Sequence, residues 1–418
     1  MKKTLIFIIL VIACIGCEPD ITTVPVPYPE DTELKGTKSL TEFMNDKIEG
    51  VYYSETKNTP FGDSVVIIAK TGYINVFTGK NTTYAALESG YKGDEFVFEG
   101  FWRQANSSAT GAMRLKILAG DGGKDLSNEK VPGSIRFTGE YIGAEGSNYR
   151  EIVFRFARPI TAVKPDFYII AHKGGGRNID RLPYPENSAE LIRYADKLGA
   201  NSIEIDVQVT KDNIPVLFHD EYLSKRTINE DYFIGRVSEY TFKQLSAFVT
   251  LRKYSGTQGE EKIPTLSEAL ETAIENPNLK LVWLDIKTPE VIPLVVPIQK
   301  KALALAKSKG RQIEILIGIP DEGILAAVKS QADFAEIPTL CELDEKYVTE
   351  AGSLIWAPRW SNGLMIDRVA AMHSQGKRVF VWTMDDPALV KTYIKTGDFD
   401  GIVTNFSSVV AYEYYLGK

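Results

Sequence analysis

Two of the three histidines in this 418-residue chain, with a pair of acids between them, lie inside residues 166–220, where strands are expected to end. Phe167 to Ala171 is a short apolar run of the kind a buried parallel strand shows, and it stops at His172 and the glycines Gly174 to Gly176. Ser202 to Val209 reads as a second strand, in which Ile203, Ile205 and Val207 alternate with Glu204, Asp206 and Gln208. Both acids therefore share one face. If that face looks into a barrel or cleft, a bound cation offsets the cost of two adjacent negative charges. On a solvated face, or within salt bridges, the same pair does no chemistry. His219 follows just before Asp220. Imidazole takes up and returns a proton near neutrality, so two of them at neighbouring strand ends can divide acid and base work. His373, on an expected helix with no motif around it, reads as an ordinary surface or packing residue.

These residues need elements to position them. Glu186 to Leu198 carries apolar residues at helical spacing, and Gly199 sits where a helix would be capped. From Thr161 onward strands and helices alternate to the C-terminus. The expected strands are Phe167–Ala171, Ser202–Val207, Lys280–Ile286, Glu314–Gly318, Asp333–Ile337, Leu354–Ala357, Arg378–Thr383 and Gly401–Val403. Eight βα units in about 255 residues have the size and rhythm of a (β/α)₈ barrel, whose chemistry sits at the C-terminal ends of the strands.

Upstream the texture differs. Residues 41–160 hold short alternating segments, among them Val65–Ala69, Glu95–Trp102 and Glu151–Phe156, separated by turn-forming clusters. A small antiparallel all-β domain, barrel or sandwich, is expected there. It carries no chemical motif, so packing is its default role and binding of carbohydrate or a partner the alternative. Residues 17–40 are proline-rich and read as a tether. Residues 1–16 have Lys2 and Lys3, an apolar run from Leu5 to Ile15 and then Gly16 before Cys17, the pattern of a signal peptide with lipidation at Cys17. Cys14 would leave with that leader, and Cys341 would have no disulfide partner. The net charge of −7, without a basic stripe, argues against a nucleic-acid partner. A bacterial envelope location, lipid-anchored and facing periplasm or exterior, is the expectation.

Seven stretches recur in one order: AHKGG at 171–175, PENS at 185–188, GANSIEIDVQVTKDNIPVLFHDEYL at 199–223, KIPTLSEAL at 262–270, LDIK at 284–287, VWTMDD at 381–386 and DGIVTN at 400–405. On these, residues 165–418 resemble the glycerophosphodiester phosphodiesterase family. The resemblance implies a TIM-type barrel that hydrolyses glycerophosphodiesters to glycerol 3-phosphate and an alcohol with a divalent metal, Ca²⁺ or Mg²⁺. It implies His172 and His219 as the catalytic pair, Glu204, Asp206 and Asp285 as metal ligands, and Lys173, Lys287, Trp382 and Glu186 as substrate-side groups. Asp285 stands where the family usually has Glu, Lys173 where Arg is common, and Asn405 where Asp is typical. Arg177 and Arg181, in a longer first loop, are candidates to replace the missing guanidinium. Alternatives are phospholipase-like cleavage of intact or lyso-phospholipids on the same barrel, or a non-catalytic envelope binding protein. A two-carboxylate glycosidase leaves the paired histidines unexplained.

Overall fold

The computed structural model describes residues 24, 26–80, 82–105, 107–143, 148–162, 164–253 and 260–417. The leader and Cys17 lie outside the described residues. No helix of the described residues is long and apolar enough to cross a membrane.

Eight antiparallel strands, Gly50–Ser54, Ser64–Lys70, Tyr73–Phe77, Thr83–Lys92, Glu95–Gln104, Thr110–Ile117, Arg136–Ile142 and Tyr149–Arg158, pair in sequence, and the last returns to the first. The closure chooses a barrel over a sandwich and removes the exposed edges. Thr83–Lys92 is the strand that sequence pattern does not reveal, because Ala85, Ala86 and Gly90 give it little strand propensity. It is held by ten register pairs with Glu95–Gln104. Phe96, Phe98, Trp102, Phe137 and Phe154 fill the interior. The helix Glu42–Ile48, begun by a Thr41 cap, adds buried Met44 and Ile48.

The outer wall of this barrel is apolar as well. Val66, Ile68, Phe77 and Phe101 belong to the same core as Leu198, Val410 and Ala411 of the C-terminal unit. Gly199 allows the approach: its φ is +97°, and a Cβ there would come within 2.9 Å of the Phe77 ring and of Ala411. Across the seam Tyr73 Oη donates to Asp196 Oδ2 at 2.5 Å and Asn75 Nδ2 to the Lys197 carbonyl at 2.7 Å. Residues 26–40, read from sequence as part of a tether, run along the barrel wall. The Thr32 hydroxyl and the Glu33 N–H donate to Glu99, Lys38 bridges Tyr91, and Leu40 is buried.

The C-terminal unit is a closed parallel barrel of Tyr168–Ala171, Ser202–Val209, Leu281–Ile286, Glu314–Ile319, Thr339–Cys341, Ile355–Trp356, Arg378–Val381 and Gly401–Thr404. Each strand pairs with the next, and the eighth pairs with the first. The expected (β/α)₈ architecture is therefore present. One strand is displaced from its expected place. Asp333–Ile337 contains a short 3-10 helix at Phe334–Glu336, and the fifth strand is Thr339–Cys341, after Pro338. Proline lacks the N–H that a central strand needs, so the strand begins beyond it.

Because the outer wall of the antiparallel barrel packs into the apolar core around the parallel barrel, the two should unfold together. A single coincident transition in urea, followed by far-ultraviolet circular dichroism and by tryptophan fluorescence, is the expected outcome. Two separate transitions would contradict the shared core. Tyr73→Phe should lower stability by about 1–2 kcal/mol, as loss of one buried hydrogen bond does.

Candidate active site

The barrel strands deliver their polar residues to one end. Strand two alternates, so Ile203, Ile205 and Val207 pack outward while Glu204 and Asp206 point inward. Strand three is in register with it, pairing Asp206 with Asp285. Oxygens of Glu204, Asp206 and Asp285 lie within 4.8 Å of one another. Lys287 Nζ sits among them, 2.6 Å from Asp206 Oδ1 and 2.5 Å from Asp285 Oδ2.

The local electrostatics follow from burial. Burial, reinforced by Asp206 and Asp285, holds the Glu204 carboxyl well above the usual carboxylate range. Burial also opposes ionisation of Asp206, but Lys287 and the nearby histidines outweigh it and bring that group down to about 2. Lys287 is held above its ordinary value by its carboxylates despite the opposing effect of burial. Asn187 locks Asp206 from behind, donating through Nδ2 to Oδ2 at 2.7 Å and accepting the Asp206 N–H at 3.1 Å. Glu204 Oε2 accepts the Lys173 N–H at 2.8 Å, while Glu204 Oε1 is buried without a hydrogen-bond partner. An orphaned buried carboxylate oxygen beside two further carboxylates fits a hard cation such as Ca²⁺ or Mg²⁺, which takes oxygen ligands.

The two histidines enter the same cleft with different partners. His172 follows strand one, and its Nδ1 is 2.7 Å from Asn405 Oδ1. Asn405 Nδ2 donates to Asp385 at 2.6 Å, which fixes the amide so that its oxygen accepts from His172 Nδ1–H. His172 Nε2 then carries the lone pair and lies 3.8 Å from Glu204. Burial lowers the His172 pKa, with Asp206 acting in the opposite sense. His219 follows the short strand Pro215–Leu217 and places Nδ1 2.7 Å from Asp220 Oδ1. Asp220 is clamped by Arg226 at 2.7 Å through both Nε and Nη2, and its carboxyl is held well below the usual range. Arg226 also grips Glu186, at 2.9 and 3.0 Å.

The remaining expected residues divide. Trp382 lines the cleft, with its indole N–H tied to the Ala357 carbonyl at 2.7 Å. Lys173 and Glu186, expected on the substrate side, are both buried; Lys173 Nζ lies 3.6 Å from Glu186, and neither lines the cleft. Arg177 is engaged by Asp180 at 2.8 Å, and it too stays outside the cleft with Arg181. Two residues that sequence reasoning missed take part instead. Arg359 stacks over the Trp382 ring, 4.8 Å from its centroid, and borders the cleft. Glu342, one residue past strand five, lies beside Asp285, and burial together with that neighbour pushes its carboxyl up to about 8. The run Thr339 to Cys341 before Glu342 is too short to have signalled it. The cleft holds about 580 Å³ and is also walled by Trp283, Pro320 and Leu343.

Paired imidazoles and clustered carboxylates at the C-terminal end of a (β/α)₈ barrel make a site equipped for acid–base chemistry beside a cation. Residues 172–409 match the Glycerophosphoryl diester phosphodiesterase family, which is more than half of the chain, and the protein belongs to that family. A glycerophosphodiester phosphodiesterase from Caldanaerobacter subterraneus subsp. tengcongensis is 31% identical over 243 residues, spanning 57% of this chain and 93% of that one. The human glycerophosphodiester phosphodiesterase 1 is 35% identical over 134 residues, 31% of this chain and 37% of that one. Among solved structures, an Oleispira antarctica phosphodiesterase in complex with the product sn-glycerol-3-phosphate aligns with a TM-score of 0.46 at 22% identity, over 58% of this chain and 94% of that one.

Glu204→Gln should weaken binding of Ca²⁺ or Mg²⁺ by about a hundredfold or more, read by titration calorimetry. Unchanged affinity would place the cation elsewhere. Asp220→Asn should lower kcat by about 100-fold while leaving the melting temperature within a few degrees, because it releases the His219 ring rather than the fold.

Proposed function

We propose that the protein hydrolyses glycerophosphodiesters to glycerol 3-phosphate and an alcohol, with Glu204, Asp206 and Asp285 holding a divalent cation, Ca²⁺ or Mg²⁺. The observation that supports this best is the convergence of the His172 and His219 rings on one cleft shared with Glu204 and Asp285. Bound there, the cation supplies Lewis-acid polarisation of the phosphoryl oxygens. Arg359 borders the cleft and Lys287 sits against Asp206 and Asp285 beside it, so both add positive charge near where the phosphodiester anion must sit.

The hydrogen-bond partners support an assignment of roles. His172 Nε2, on a ring that burial biases toward its neutral form and that Asn405 orients, removes the proton from the attacking oxygen. His219, oriented by Asp220 through its Nδ1, is the partner that delivers a proton to the leaving oxygen. Glu186 and Lys173 act from behind, Glu186 by bracing Arg226 and therefore Asp220. The attacking oxygen is water or a hydroxyl of the substrate. Trp382 and Trp283 offer apolar faces to the glycerol or alcohol part. Lipid attachment at Cys17 would hold the enzyme on a bacterial envelope membrane, with the acidic chain projecting into periplasm or exterior.

A panel of water-soluble glycerophosphodiesters, assayed for glycerol 3-phosphate release, tests the reading. Turnover should disappear on chelation, return with Ca²⁺ or Mg²⁺, and fall by about 10²–10⁴-fold in His172→Ala and in His219→Ala. Cleavage of lysophospholipids alone would favour the phospholipase-like activity instead. Because burial depresses the His172 pKa, its base form persists to lower pH than an ordinary imidazole, so the acid limb of kcat/KM should fall below the usual histidine value. Asn405→Asp puts a carboxylate on His172 and should move that limb upward. A limb that stays in place would remove His172 from the base role.

A further inference from the structure

We propose that the catalytic face of the parallel barrel docks on the surface of a lipid bilayer through an apolar and aromatic collar around the cleft. Among the described residues 164–417, every exposed large apolar side chain except Leu354 lies in a connection that follows the C-terminal end of a barrel strand or, for Ile366, at the first residue of the helix after it; Phe248 closes a short helix within its connection. Ile179 is on the first such loop, Tyr232, Ile234 and Phe248 are on the second, and Trp360 and Ile366 are at the sixth. Ile179, Tyr232 and Ile234 are 70% exposed or more. The first and second of these connections also carry His172 and His219.

The second loop has no folding need for these side chains. It is built on its own buried cluster, which includes Phe218, Leu223, Leu245 and Val249, and the exposed residues lie outside it. Phe233, partly buried, gathers the rings of Tyr232 and Phe248 at 5.3 and 6.3 Å between centroids. An aromatic group of this kind, held up in water on a compact base, suits the interfacial zone of a membrane, where amphipathic rings partition. The net charge of −7 makes apolar insertion, rather than attraction to anionic lipid, the source of affinity.

The path of the chain selects a bilayer as the occupant. Residue Val24 is tied to the first loop by one side chain: the Arg103 guanidinium reaches both the Val24 carbonyl, at 3.4 Å, and the Arg181 carbonyl. Seven residues separate Cys17 from Val24 (24 minus 17), a reach of about 25 Å when fully extended. A lipid on Cys17 would therefore tether the chain within that distance of the first loop of the collar. The proposal deepens the phosphodiesterase reading and rests on it for its meaning, since it brings the cleft to where phosphodiester headgroups are concentrated.

The test uses the full chain with Cys14→Ser and Cys17→Ser and a polarity-sensitive fluorophore on Ile234→Cys, on Ile366→Cys or, as a control on the antiparallel barrel, on Tyr53→Cys. Phosphatidylcholine vesicles should shift emission to the blue at 234 and 366 and leave 53 unchanged. Adding Ile234→Glu and Phe248→Glu to the 366-labelled chain should raise the lipid concentration needed by about tenfold or more. No shift at 234 and 366, or an equal shift at 53, would overturn the docking surface. A shift that grows with protein concentration without lipid would also overturn it, in favour of a second copy of the chain. Hydrolysis of glycerophosphocholine in solution should be the same in all labelled chains. Its absence from the parent chain would remove the phosphodiesterase reading while the vesicle result still decides the docking.

Discussion

The site is governed by negative charge that has been taken out of water. Strands two and three run in register, so Asp206 and Asp285 sit side by side, with Glu204 on the same inner face. Desolvation and mutual repulsion make three ionised carboxylates there untenable without a counter-charge. Lys287 supplies one, and burial together with Asp206 and Asp285 holds the Glu204 carboxyl well above the usual carboxylate range. A divalent cation would supply more charge than one ammonium does and would release Lys287 toward an incoming anion. The departure at Asp285, shorter by a methylene than the usual Glu, is accompanied by a further acid, Glu342, reaching the same region from strand five.

Around that centre the histidines are made unequal by what stands behind them. An amide backs His172 and a carboxylate backs His219, and each backing group is itself fixed, by Asp385 and by Arg226. Arg226 joins the second loop to the first through Glu186. Lys173 turns inward because its φ of +55° directs the chain through a tight left-handed step, which leaves its N–H on Glu204 and its ammonium near Glu186. Lys173 and Glu186, expected on the substrate side, are thus engaged with Glu204 and Arg226 behind the cleft.

The antiparallel barrel contributes without lining the cleft. Its outer wall is part of the parallel barrel's core, and Arg103, fully buried, binds the Arg181 carbonyl at the base of the first loop. That loop presents Asn178, whose N–H and Oδ1 hold Glu186. The N-terminal unit is therefore coupled to the site through the loop it braces, which gives a physical reason for its presence in the same chain.

Much of this was readable from residue order. The alternation in 202–209 placed both acids on one face, the apolar run before His172 marked a strand end, and the strand–helix rhythm after Thr161 gave the barrel, because these are local periodicities that backbone geometry imposes. The motif set indicated His172, His219, Glu204, Asp206 and Asp285 together. Other features needed contacts between residues distant in the chain. Thr83–Lys92 forms a strand only because its neighbour templates it, and Thr339–Cys341 is too short to be distinguished from the residues before Pro338. Arg359 carries no local signal, and neither does the diversion of Lys173 into the interior, since both depend on side chains brought in from other strands. Local pattern determined which residues could do chemistry; the closure of the barrel decided which of them share the cleft, because only closure sets the distances over which charges act.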